Sequence, residues 1–150
     1  MADIKSPEER SRNMSRIKSK GTKPEEYIRK LLFNRGFRYR KNVRDIPGCP
    51  DAWLAKYNTA LFVHGCFWHR HNGCKLAYMP KSHIDFWETK FIRNVERDKI
   101  VMANLKKEHI RCLIIWECTV KNMLKSNGKR DNVLNTIIEF LTSGVDSAEL

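Results

Sequence analysis

Long apolar runs are missing from this chain. No stretch of aliphatic and aromatic side chains outlasts Leu113 to Trp116, whereas roughly 20 residues are needed to span a bilayer. No N-terminal apolar segment resembles a secretion signal either, so the expectation is a cytoplasmic protein with no membrane partner. Glycine and proline are sparse, at 7 and 5 of 150 residues, which excludes collagen-like and low-complexity chains. Cysteine is odd in number, at five. Without an export signal, that favours metal ligands or buried thiols over disulfides. Acidic charge is also short: 17 carboxylates against 29 lysines and arginines leave a net +12.

What is present is enough for a core, since 41% of the residues are hydrophobic and 10% aromatic, and the length suits one domain. The basic excess is uneven. Residues 1 to 44 carry 14 basic and 5 acidic side chains, the remainder 15 and 12. A basic third joined to a nearly balanced body suits contact with a phosphate backbone; the alternative is a basic, merely soluble surface.

Ser6-Pro7-Glu8-Glu9 reads as the start of a helix from Pro7 to about Lys18. It carries Arg10, Arg12, Arg16 and Lys18 with only Met14 and Ile17 apolar, an arm for lying on a partner rather than a core helix. Thr22-Lys23-Pro24-Glu25 has capping-box spacing and opens a second helix bearing Ile28, Leu31 and Leu32, stopped by Gly36. Phe37 and Tyr39, then Ala52 and Leu54, alternate as strands do on either side of the Pro47-Gly48-Cys49-Pro50 turn. Thr59 to His64 reads as a central strand and Arg111 to Glu117 as a buried one, with a helix from Asp85 between them. Lys121 to Arg130 is expected as a basic loop, with Asp131 capping a last helix that carries Val133, Leu134, Ile137, Ile138 and Leu141. The order implies an α/β fold, a mixed sheet flanked by helices. The expected organisation is an arm over 1–20, a domain over 21–142 and a flexible tail over 143–150.

Residues 64 to 74 read His-Gly-Cys-Phe-Trp-His-Arg-His-Asn-Gly-Cys and hold three of the five histidines and two of the five cysteines. Cys66, His71 and Cys74 are spaced so that thiolate and imidazole converge, and Cys118, just past a buried strand, supplies a fourth zinc ligand. The alternative is buried thiols without metal; Cys112 within its strand suits a core thiol. His64 and His69 are then left beside the metal loop as acid and base groups. Phe67 and Trp68 between them suit either core packing or insertion into a base stack. Asp51 at a strand end, near the next strand's Val63-His64, can share a divalent cation beside a phosphate, although Pro-Asp also occurs in plain turns. Glu25 is accounted for by the capping box alone.

These residues resemble the very short patch repair (Vsr) DNA mismatch endonucleases. The likeness rests on Ser11-Arg12-Asn13-Met14, Pro50-Asp51, His64-Gly65-Cys66-Phe67-Trp68-His69, Phe86-Trp87, Asn94-Val95-Glu96-Arg97-Asp98 and Trp116-Glu117-Cys118. It implies a restriction-endonuclease-like fold and a nick 5′ to the thymine of a T:G mismatch left by deamination of 5-methylcytosine. The implied partners are duplex DNA, a cytosine-5 methyltransferase and mismatch repair proteins, around a bacterial monomer that is nucleoid-associated when bound. By the same resemblance Asp51 and the Val63 carbonyl hold Mg²⁺ and His69 handles the water's proton, supported by His64 and Glu25. The structural Zn²⁺ falls on Cys66, His71, Cys74 and Cys118, and DNA contacts on Met14, Phe67, Trp68, Arg12, Arg16, Asn94 and Arg97. Three positions depart from the family pattern: an extra residue at Asn72-Gly73, Val63 in place of threonine, and Cys49 in place of arginine. The alternatives are a zinc-stabilised DNA-binding protein without catalysis and a zinc hydrolase in which Cys118 leaves a ligand position open.

Overall fold

The computed structural model describes residues 21–150. The arm expected over Pro7 to Lys18, with Arg12, Met14 and Arg16, lies outside the described residues. Helix α1, Lys23–Asn34, starts where expected: Thr22 is extended, its hydroxyl accepts from Glu25 N–H at 3.5 Å, and Pro24 stands in the first turn. The capping box is incomplete, however. Glu25 Oε2 accepts from Gly21 N–H (2.8 Å) rather than from the cap residue, and the side chain is buried.

Four strands follow, β1 Ala52–Leu54, β2 Thr59–His64, β3 Arg111–Trp116 and β4 Ser147–Glu149, in that spatial order. β1 runs antiparallel to β2, whereas β2–β3 and β3–β4 are parallel. The parallel pair requires a crossover, provided by helix α2, Ile84–Lys107. Phe37 and Tyr39 pack half-buried on the core, but their ladder shrinks to one bridge, Arg40 to Trp53. Asn42, at φ +49°, turns the chain away immediately afterwards.

Two expectations are corrected. The span 121–130 is not a basic loop: helix α3, Glu117–Lys125, and helix α4, Asn127–Thr142, occupy it, and Ser126 rather than Asp131 caps α4 by accepting from Lys129 N–H (3.3 Å). Lys121 and Lys125 point outward while Val120 and Met123, each 1% exposed, anchor α3. The charge run is the solvated face of a helix. Residues 143–150 are likewise no flexible tail, because β4 completes the sheet. Arg111 holds the approach by donating to the carbonyls of Leu141 (3.1 Å), Val145 (2.9 Å) and Phe140. An edge strand lying on the surface needs few apolar side chains, and its polar composition hid it.

The faces of the sheet are packed unequally. Leu61, Leu113 and Ile115 face a dense layer made by Ile28 and Leu32 of α1, Val120 and Met123 of α3, and Leu134, Ile137, Phe140 and Leu141 of α4. Removing such a side chain costs about 2–5 kcal/mol. Ala60, Phe62, Cys112, Ile114 and Trp116 face α2, whose 24 residues bury only Phe91 and Leu105. The thin side is where the cleft opens. Among the described residues no helix is long and apolar enough to cross a membrane.

Candidate active site and metal centre

The end of β2 and the loop leaving it supply most of two groups of side chains, completed by Asp98 of α2 and Cys118 of α3. Cys66, His71, Cys74 and Cys118 bring one ligand atom each to within 4.8 Å of one another. His71 Nδ1 is 3.5 Å from the sulfurs of both Cys66 and Cys118. Zn–S and Zn–N bonds of about 2.3 and 2.0–2.1 Å give a tetrahedron an S···N edge of about 3.6 Å. The donors therefore fit Zn²⁺, and with four of them no open position is left for a zinc hydrolase. Burial raises the Cys66 thiol to about 12, while N–H groups of Leu76 and Ala77 lower Cys74. A bound dication favours the thiolate at all three cysteines. Gly73 (φ +69°) turns where the additional residue falls, and Cys74 still reaches its partners. Of the remaining cysteines, Cys112 is a buried thiol of the thin face and Cys49 lines the cleft.

The second group is His64, His69 and Asp98. Their ligand atoms are equally close, but the two imidazoles stack at 3.8 Å with 4° between planes. Ring-nitrogen lone pairs lie in the ring plane, so parallel rings cannot converge on one ion. His69 Nδ1 is moreover taken by Asp98 Oδ2 at 2.7 Å. A carboxylate that orients one imidazole in this way suits proton transfer, and among the described residues the His69 Nε2 has no hydrogen-bond partner. Burial, and secondarily the proximity of His69, push His64 down to about 3, so its ring is neutral at ordinary pH.

Asp51 precedes β1, and its Oδ2 accepts from Val63 N–H at 2.6 Å. Gly48 allows this approach. At φ +82° it brings the turn so near β2 and α2 that an added Cβ would lie 2.6 Å from Val101 and 2.9 Å from Phe62. Burial, with Glu25 as an adjacent like charge, raises Asp51 to about 7 against the Val63 hydrogen bond and Arg29. The buried Glu25 and the half-buried Asp51, with one guanidinium, leave negative charge uncompensated, so the chemistry of the set fits a hard divalent cation.

Glu25, Asp51, His64, His69 and Asp98 line one cleft of about 820 Å³, together with Val63, Phe67, Trp68, Lys90, Asn94 and Arg97. The structure thus gathers Asp51, Glu25, His64 and His69 and sets the Cys/His cluster apart from them. Phe67 is engaged by Trp68, Tyr78, Trp87 and Phe91 rings with centroids at 5.1–5.4 Å, so packing accounts for it more fully than for Trp68. Asn94 donates to the Trp68 carbonyl (3.1 Å). Asp98 was not singled out from the sequence as a site residue. A signal existed: it lies four residues after Asn94, and helical spacing turns both toward the loop. Arg29, which touches Glu25 and Asp51, had no sequence signal beyond an i,i+4 charge pair.

Residues 2–75 match the profile of the DNA mismatch endonuclease Vsr family. The chain is 47% identical over 122 residues to a type II nicking enzyme of Neisseria meningitidis, covering 81% of this chain and 86% of that one. It is 38% identical over 135 residues to a type II nicking enzyme of Xanthomonas oryzae, at 90% and 98% coverage. To the DNA mismatch endonuclease Vsr of Escherichia coli it is 37% identical over 125 residues, at 83% and 80%.

Proposed function

The chain belongs to the Vsr family of DNA mismatch endonucleases and is a DNA endonuclease acting on phosphodiester bonds, and from that premise we propose that it nicks one strand 5′ to the thymine of a T:G mismatch, with Mg²⁺ at Asp51 and Val63 and Zn²⁺ at Cys66, His71, Cys74 and Cys118. The observation that carries this reading is a single cleft lined by the carboxylates of Glu25 and Asp51 and by a histidine oriented by Asp98. Bound at Asp51, Mg²⁺ supplies Lewis-acid charge beside the scissile phosphate. His69 accepts the proton of the attacking water at Nε2, and Asp98 stabilises the imidazolium that forms. His64 stays neutral and leaves that proton on His69. The water oxygen bonds to phosphorus as the bond from phosphorus to the 3′ oxygen breaks, and that oxygen takes a proton from solvent, leaving a 3′-hydroxyl and a 5′-phosphate. A binding protein without catalysis does not fit a chain this similar to nicking enzymes.

Trp68 and Phe67, with Met14 from the segment 1–20, act as wedges beside the mismatch. Unstacking costs a few kcal/mol per step and least at a weakened pair. Arg12, Arg16, Asn94 and Arg97 contact the duplex. The Pro-Asp segment leading into an antiparallel strand beside a parallel pair supports a restriction-endonuclease-like arrangement, extended by the 1–20 arm. The enzyme works as a monomer in the bacterial cytoplasm and at the nucleoid, clearing lesions that a cytosine-5 methyltransferase creates, alongside mismatch repair proteins. The test is strand cleavage of a duplex with one T:G mismatch amid varied flanks, with and without Mg²⁺. The expected result is a Mg²⁺-dependent nick 5′ to the thymine, lost in Asp51→Asn while the duplex is still bound. Equal cutting of a matched duplex, or nicking without a divalent cation, sinks the reading.

A further inference from the structure

Behind the cleft lies a buried guanidinium, that of Arg29, with no part in the reaction as described so far. Arg29 sits one turn beyond Glu25 on α1, and both residues are 4% exposed. Its Nη1 donates to Glu25 Oε2 (3.4 Å) and to the main-chain carbonyl of Asp51 (3.1 Å). One guanidinium thus ties a helix to the residue preceding β1, and both residues it touches are the cleft's paired carboxylates.

Stability is a poor explanation for this arrangement. An i,i+4 pair contributes little even where it is exposed, and a buried pair is often no better than apolar side chains of the same volume. Ile28 and Leu32 lie on either side of Arg29 along α1, within a core that an aliphatic residue would suit. What the pair does provide is orientation. Glu25 Oε2 receives two donors, Arg29 Nη1 and Gly21 N–H at 2.8 Å. The carboxylate is held through one oxygen while the residue lines the cleft.

We propose that Arg29 is a positioning residue for nicking: from behind the cleft it fixes the Glu25 carboxylate and the Asp51 main chain in the relative placement that receives a divalent cation. This rests on the reading of Asp51 and Glu25 as the metal-side carboxylates. The test uses the full chain with Arg29→Met, Arg29→Lys and Arg29→Gln. Turnover is followed at saturating T:G duplex over a range of Mg²⁺, duplex affinity is measured without Mg²⁺, and the Mg²⁺-induced rise in melting temperature is measured without DNA. In Arg29→Met turnover falls tenfold or more at saturating Mg²⁺, and the Mg²⁺-induced rise shrinks, while duplex affinity stays within threefold of wild type. Arg29→Lys recovers part of the turnover, because one ammonium keeps the charge but lacks the fork. Should the unpaired Glu25 prevent Arg29→Met from folding, Arg29→Gln, which retains an N–H for the Asp51 carbonyl, carries the same expectation.

Wild-type turnover and Mg²⁺ response in these variants overturn the assignment. So does a loss of duplex affinity parallel to the loss of turnover, the mark of a purely structural role. The wild-type control separates the two levels: a wild type without Mg²⁺-dependent nicking overturns the function and this assignment with it, whereas a nicking wild type with unchanged variants overturns Arg29 alone.

Discussion

His64, Cys66, His69 and His71 alternate along the end of β2 and the loop that leaves it, between two destinations. Cys66 and His71 join Cys74 and Cys118 in a cluster whose donors converge at tetrahedral spacing, with Cys66 fully buried and His71 stacked on Trp116 at 4.1 Å. His64 and His69 join Asp98 in a group whose rings lie parallel, with the His69 side chain 30% exposed to the cleft. The residue types overlap, and the outcome is set by direction. Where lone pairs converge, the donors can hold a metal that would latch the loop; where rings stack and a carboxylate takes one nitrogen, convergence on an ion is ruled out. The latch and the reactive group are separate devices on one segment.

Breaking the latch should have the largest effect. Cys118→Ser is expected to release zinc, lower the melting temperature by roughly 10 °C, as about 3 kcal/mol does in a domain of this size, and abolish nicking. Metal analysis with thermal melts measures this, and full zinc content with wild-type melting would show that Cys118 is not one of the zinc ligands. Breaking the reactive group should do the converse. His69→Ala is expected to reduce nicking about 10²- to 10⁴-fold, and Asp98→Asn about tenfold, with zinc content and melting unchanged. Loss of zinc in either variant would merge the two devices into one.

The smallest effect sharpens the comparison through pH. Folding raises Asp51 from 3.8 to about 7, so between these values the folded state binds more protons and stability falls as pH rises. Folding lowers His64 from 6.5 to about 3, so between those values the folded state binds fewer protons and stability rises with pH. The two oppose each other in the wild type. Asp51→Asn removes the first, and its melting temperature in Mg²⁺-free buffer should climb relative to wild type from about pH 4 to 7. Parallel melting curves across that window would contradict the raised Asp51.

Much of the site was legible because its chemistry is concentrated in short strings. The zinc-type set needed only spacing and one cysteine after a buried strand, and β2, β3 and α2 emerged from hydrophobic pattern. The misreadings share a cause. Lys121 to Arg130 and residues 143–150 were judged by their polar side chains, yet α3 is decided by two buried residues, Val120 and Met123, and β4 by main-chain pairing with β3. Glu25 was explained locally as a capping residue, but the contacts that define it come from Arg29 and the neighbourhood of Asp51.

By itself the sequence determined which elements form where periodicity is strong, which side chains can hold a soft metal, and which family the chain resembles. Each of these depends on short strings of residues, with Cys118 joined to the metal set from the end of a distant strand. Tertiary structure alone decided that His64 and His69 stack rather than chelate, that Asp98 orients His69 from 29 positions away, and that Arg29 backs the two carboxylates. Those outcomes are set by angles and burial between distant segments, and one residue's pattern along a chain carries no information about the direction of another's lone pair.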